Sequence, residues 1–121
     1  MTASTSLPDL AAIRAAAARI APYVHRTPVM SSRSVDAMAG ATLFFKCENL
    51  QKVGAFKARG AVNAVFSLAD ADAARGVVTH SSGNHGAAIA YAARARGIAA
   101  YVVMPDNAPK IKVDNVCAFG A

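Results

Sequence analysis

Residues 76–105 read GVVTHSSGNHGAAIAYAARARGIAAYVVMP. Two short runs rich in β-branched residues, Val77–Thr79 and Tyr101–Met104, flank an alanine-rich stretch, His85–Arg96. The runs are too short for helices, and their residue types suit strands. Ser81–Asn84 is a tight polar turn after the first run, and Gly97 offers a stop for the helix. Pro105–Pro109 is another turn, and Lys110–Phe119 is a second helical stretch that Gly120 would end. Strand, helix, strand, helix in succession predicts parallel strands joined by right-handed crossovers. The expected fold is therefore α/β, a parallel sheet with flanking helices.

Upstream, Ser6-Leu-Pro-Asp9 resembles a capping box, with Ser6 as N-cap. Leu10, Ile13, Ala17 and Ile20 follow at helical spacing, and Pro22 limits that helix. Thr27-Pro28 is extended by the pre-proline restriction. A short polar helix over Ser32–Ala39 should end at Gly40, and Thr42–Cys47 (TLFFKC) reads as a strand. Glu48–Gly54 is a loop, and helical spacing resumes from Phe56 to Leu68. Ligands in open α/β sheets bind beyond the carboxyl ends of strands. By this reading Cys47–Gly54 and His80–Asn84 are both loops at such ends.

The chain has 121 residues, and 55% of them are apolar, which is enough for one small packed domain and argues against disorder. No apolar run approaches the ~18–20 residues that span a bilayer. Met1 to Pro8 lacks a basic segment followed by an apolar stretch, so no secretory signal is expected. A cytoplasmic protein is the resulting expectation. The net charge of +6 comes from basic residues scattered along the chain, such as Arg14, Arg33, Lys46, Arg75 and Lys112. That pattern speaks against nucleic-acid binding, which favours clustered cations, and suits small anionic substrates equally well. Cys47 and Cys117 are isolated, and three histidines without a C-x-x-C give no support to a metal site.

Two segments carry chemistry. Gly54-Ala-Phe-Lys57-Ala-Arg-Gly60 puts a lysine at the start of a helix. Free backbone N–H groups and the helix dipole disfavour a cation there. A neutral amine is the form that attacks an aldehyde, and desolvation would favour it further. Gly54 and Ala55 leave room for a flat ring. An ordinary surface lysine that happens to open a helix is the alternative. Ser81-Ser-Gly-Asn-His-Gly86 follows a strand and opens a helix. Free N–H groups at such a turn make an anion site, Gly83 permits close approach, and Ser81 and Asn84 add side-chain donors. A plain helix cap would look the same. There is no G-x-G-x-x-G fingerprint and no P-loop.

Glu48-Asn-Leu-Gln-Lys-Val-Gly-Ala-Phe-Lys57-Ala-Arg-Gly-Ala61 closely resembles the cofactor-attachment motif of the fold-type-II pyridoxal-phosphate (PLP) enzymes, in particular the serine/threonine dehydratase and serine racemase group. His25-Arg-Thr-Pro28 and Phe44-Phe-Lys-Cys-Glu48 match in order and spacing, and the likeness runs from about Leu10 to Ala121. It implies a tryptophan-synthase-β-like fold, with residues 1–121 as the N-terminal part of a catalytic domain and about 48–121 carrying both motifs. It implies Lys57 as the Schiff-base lysine, Phe56 beside the pyridine ring and Asn84 on the phenolic oxygen of PLP. Ser81, Gly83 and His85 would hold the substrate carboxylate. Many threonine dehydratases have Ala at the position of Ser82, whereas serine racemase has Ser, the acid/base on the face opposite the lysine. Val53 departs from the family, which usually has Thr there.

The activity so implied is dehydration of L-serine or L-threonine to a 2-oxo acid and ammonia, or racemisation of serine using Lys57 and Ser82 on opposite faces. A small amino-acid substrate and a homodimer go with it. Relatives are much longer, and their glycine-rich phosphate loop and metal site lie beyond the equivalent of Ala121. Three or so strands also make a thin sheet, since about 5–6 are usual. A truncated chain, either part of an enzyme or a non-catalytic remnant, is expected.

Overall fold

The computed structural model describes residues 7–121. The elements in order are α1 (Leu10–Ile20), β1 (Val29–Met30), α2 (Arg33–Ala39), β2 (Phe45–Lys46), α3 (Lys57–Ser67), α4 (Asp70–Ala73), β3 (Val77–His80), α5 (Asn84–Arg96), β4 (Ala100–Val103) and α6 (Lys110–Ala118). Single 3-10 turns, Glu48–Leu50 and Lys52–Gly54, occupy what reads as loop between β2 and α3.

The parallel unit expected from residues 76–105 is present. β3 and β4 pair in parallel, with Val77 opposite Ala100 and His80 opposite Val103, and α5 connects them. α5 covers one face of this pair and ends at Gly97 in the left-handed conformation, φ 73°. Gly86 lets that helix come close: a Cβ there would lie 2.8 Å from Val102 Cγ1 and 3.5 Å from Val116 Cγ2. The other face carries Val78, Tyr101 and Val103, all exposed.

The first half differs from expectation in two places. Thr42–Cys47 does not join the parallel sheet. Only Phe45–Lys46 is paired, antiparallel to Val29–Met30. Aromatic and β-branched residues mark a strand without naming its partner, and the nearby extended Thr27-Pro28 segment supplies it: Cys47 N donates to Pro28 O at 3.0 Å. Cys47–Gly54 is therefore not a loop at the end of a parallel strand. At α1, the N-cap is Asp9, whose carboxylate accepts from Ala12 N at 2.7 Å. Ser6 lies outside the described residues. A helix capped there would need Leu7 helical, which the following Pro8 disfavours. The apolar positions Leu10 and Ile13 are exposed, and α1 meets the core only near Ile20.

The core is the contact between α3 and α5. Ala61, Val62 and Val65 pack against Ala88, Ile89 and Ala92. Small residues on both sides let two helix backbones approach closely. The rings of Tyr23 and Phe66 stack at 4.2 Å over one end. Arg96, in the last turn of α5, donates to the carbonyls of Val65 and Leu68 at the end of α3. The two helices thus run in the same direction, with their amino ends side by side. A second cluster, Ala87, Ala90 and Val116, seats α6 on α5.

Ala88 is fully buried in this close contact. Ala88→Leu should lower the free energy of unfolding by about 1–3 kcal/mol, the usual cost of overpacking. A urea melt measures it, and an unchanged midpoint would mean that the helix interface is loose.

Candidate active site

Lys57 is the first residue of α3, with Phe56 as N-cap and no side-chain cap on the helix. It comes out of a constrained turn. Gln51, almost fully buried, accepts from Lys52 N at 2.8 Å, and Val53 (φ 56°) and Gly54 (φ 67°) are both left-handed. A β-branched residue in that region is a true outlier.

What holds this turn is a polar network around Glu48. Arg59, one half-turn into α3 from Lys57, grips the Glu48 carboxylate with two hydrogen bonds, Nε to Oε2 at 2.9 Å and Nη2 to Oε1 at 2.7 Å. Thr27 Oγ1 donates to Glu48 Oε1 at 2.6 Å, and Lys46 Nζ donates to Thr27 O at 2.6 Å. Gln51 clamps the backbone of His25, accepting from its N–H at 2.8 Å and donating to its carbonyl at 2.7 Å. The hydrogen bonds from Arg59 lower the Glu48 pKa against the opposing effect of burial, helped by the Thr27 hydroxyl and by the charges of Arg59 and Lys46. The result is a shift from an ordinary 4.5 to about 2. Arg59 is shifted upward by the same pairing.

Lys57 and His85 meet at one cavity of about 250 Å³, lined by Phe56, Lys57, Gly60, Ala61, Ala64, His85 and Ile89. Its walls are the first turns of α3 and α5, so the positive ends of two helix dipoles face it. Lys57 Nζ lies 5.4 Å from the centre of the Phe56 ring and makes no hydrogen bond or ion pair among the described residues. Lys57 is exposed, so the described residues do not supply the desolvation expected of that amine.

The turn Ser81–Gly83 leads into α5. Ser81 Oγ accepts from Gly83 N at 3.2 Å, and Gly83 caps the helix with no side-chain bond to it. The N–H groups of the first α5 turn are thus left for a ligand. Gly83 and Asn84 line a neighbouring cavity of about 350 Å³ with Val53, Gly54, Ala87, Lys112, Asn115 and Phe119. Asn84 belongs to the helix rather than to the turn before it, and its Oδ1 accepts from Lys112 Nζ at 2.9 Å. Ser82 is exposed on the turn, apart from the residues lining either cavity.

The structure therefore brings Phe56, Lys57 and His85 to one cavity, Gly83 and Asn84 to the next, and Ser81 and Ser82 to the turn between β3 and α5. Sequence reasoning missed Arg59, Gln51, Thr27 and Lys112. Arg59 and Gln51 lie within the same 48–61 stretch, and a bidentate Arg–carboxylate pair was available there as a signal. Lys112 had none, because its partner is 28 residues away. Tyr91 and His25 make contacts away from the site: Tyr91 OH donates to Tyr23 O at 2.5 Å, and His25 Nδ1 lies 3.1 Å from Leu50 O.

A model of the family described as "Pyridoxal-phosphate dependent enzyme" matches residues 20–121. The chain belongs to that family. Within it, the chain is 64% identical over 112 residues to serine racemase of Oryza sativa subsp. indica, covering 93% of this chain and 33% of that protein. It is 54% identical over 114 residues to the beta-hydroxyaspartate dehydratase of Paracoccus denitrificans, covering 94% of this chain and 36% of that protein. The structure of maize serine racemase superposes with a TM-score of 0.91 at 64% identity, over 93% of this chain and 34% of that one. The fold is thus the α/β fold of this PLP enzyme group, and the chain spans about a third of the length of these relatives. No helix among the described residues is long and apolar enough to cross a membrane.

The residues present suit the ring end of PLP. An amine without a partner among the described residues, an aromatic face beside it, small residues at Gly60, Ala61 and Ala64, and the uncapped amino end of α5 meet at one cavity.

The lowered pKa of Glu48 makes a pH prediction. A carboxylate with a depressed folded pKa stabilises the fold fully above its unfolded value, and that contribution is lost as pH falls from about 4.5 through about 2. Glu48→Gln should cost about 2 kcal/mol at pH 7, as loss of a charged hydrogen bond does. It should also flatten the loss of stability between pH 4.5 and 2. Urea midpoints at pH 7 and pH 3 test both, and a variant with an unchanged acid slope would show that Glu48 is not the titrating group.

Proposed function

We propose that this protein acts on serine as a PLP enzyme, eliminating the β-hydroxyl to give a 2-oxo acid and ammonia, and racemising Cα at the same site. Residues 1–121 form the N-terminal part of the catalytic domain, and about 48–121 bring both motifs. The observation that carries the reading is the Lys57 amine, without a partner among the described residues, at a cavity it shares with His85 and the amino end of α5. The likeness to a racemase and to a dehydratase supports both outcomes.

When bound, PLP supplies an electron sink that stabilises negative charge at Cα. The family resemblance supports the following roles for the protein's residues. Lys57 would hold the cofactor through Nζ, and its amine would serve as the base for the Cα proton. Phe56 would pack beside the ring, and Asn84 would donate to its phenolic oxygen. Ser81, Gly83 and His85, at the start of α5, hold the substrate carboxylate, where free N–H groups and the helix dipole favour an anion. Ser82, exposed beside them, delivers or removes a proton at the opposite face of Cα. Racemisation needs a proton donor on each face. Elimination needs only the Lys57 side and protonation of the leaving hydroxyl.

Two measurements test this. Borohydride reduction of protein incubated with PLP, followed by peptide mass spectrometry, should tag Lys57; a tag on another lysine would overturn the assignment. Ser82→Ala should suppress D-serine formation by 10²-fold or more, in the range of a lost general acid–base group, while pyruvate release persists. Equal loss of both activities would remove Ser82 from its role.

A further inference from the structure

We infer that Lys112 is a positioning residue: its ammonium fixes which end of the Asn84 amide faces the ligand. This inference rests on the proposed PLP function and assigns a second residue to that site.

A side-chain amide has nearly the same shape in both orientations but opposite hydrogen-bonding character at its two ends. Lysine can only donate. With Lys112 Nζ 2.9 Å from Asn84 Oδ1, the carbonyl end is engaged, and the NH₂ end is the one left to a ligand. Asn84 makes no other side-chain hydrogen bond among the described residues. The group left free is therefore a donor, which suits an oxygen acceptor such as a ring phenolate. Reversed, the same residue would present an acceptor and repel that oxygen.

The geometry leaves Lys112 little choice of partner. It is the third residue of α6, where the dipole disfavours a cation. Its neighbour Lys110 pairs with Asp114 at 2.7 Å, whereas Lys112 has no carboxylate partner among the described residues. Among the described residues, no acidic one lines the cavity it shares with Gly83, Asn84 and Asn115. The spacing is set by packing rather than by the flexible side chain alone. Val116, buried, seats α6 against Ala87 and Ala90 of α5, and Gly86 admits the close approach to Val102 and Val116. The dock that brings α6 to α5 also brings Lys112 to Asn84.

The test compares Lys112→Met and Lys112→Arg with Asn84→Ala. In protein without cofactor, the Asn84 side-chain amide signals in a ¹H–¹⁵N spectrum should shift in Lys112→Met and return towards wild type in Lys112→Arg. With PLP added, Lys112→Met should weaken binding about 10-fold, the scale of one charge-assisted hydrogen bond, and move the visible absorbance maximum. Lys112→Arg should restore both. Unchanged amide signals, or wild-type affinity and spectrum in Lys112→Met while Asn84→Ala is impaired, would overturn the role of Lys112 alone. Wild-type cofactor binding by Asn84→Ala would instead show that Asn84 does not contact PLP, and the inference about Lys112 would fall with that part of the proposed function.

Discussion

The two-pronged grip of Arg59 on Glu48 is the constraint on which the lysine depends. Residues 25–28 meet there with the stretch that runs from the turn after β2 into the first turns of α3. The contacts that join them are polar. Thr27 and Gln51 are nevertheless almost fully buried, and each has its hydrogen bonds satisfied by the others or by backbone. A half-satisfied network of this kind would be worse than an apolar one. Complete, it fixes the direction in which α3 begins, and hence where the Lys57 side chain starts.

The second constraint is steric. Alanines and valines between α3 and α5 allow close contact, and Arg96 locks the carboxyl ends of both helices together by capping α3 carbonyls and pairing with Asp70 at 2.8 Å. Their amino ends must then lie together as well. A shared cavity with two positive dipole ends and an amine is a poor place for a cation and a good one for a carboxylate or phenolate. The electrostatic character of the site follows from helix direction before any individual side chain is considered.

This division explains what could be read from the sequence. The βαβ unit was legible because its signals are local: Val77–Thr79, the alanine run, Gly97, and Tyr101–Val103 each announce themselves within a few residues. The placement of Lys57 and of the Ser81–Gly83 turn at helix starts was legible for the same reason, from residue types within a few positions. The pairing of Phe45–Lys46 with Val29–Met30 was not, since a strand pattern carries no partner. Nor was the Lys112–Asn84 contact, which exists only once Val116 has docked α6. The exposed positions Leu10 and Ile13 show the converse case: a correct helical period that packs only at its far end.

Val53 joins the two constraints. Its left-handed backbone, φ 56°, carries strain of about 1–3 kcal/mol for a side chain of this kind. Such a conformation persists only where the surroundings over-determine it. Here the Gln51 cap holds the turn from before, Gly54 takes the next left-handed position, and the Val53 side chain packs against both apolar clusters. The residue thus touches the α3–α5 core and the α5–α6 core at once, four positions before Lys57. A polar hydroxyl at this position would gain little from either cluster. The isopropyl group converts the turn into a wedge between them, so the backbone strain is balanced by apolar contact at the point where the chain hands the lysine to its cavity.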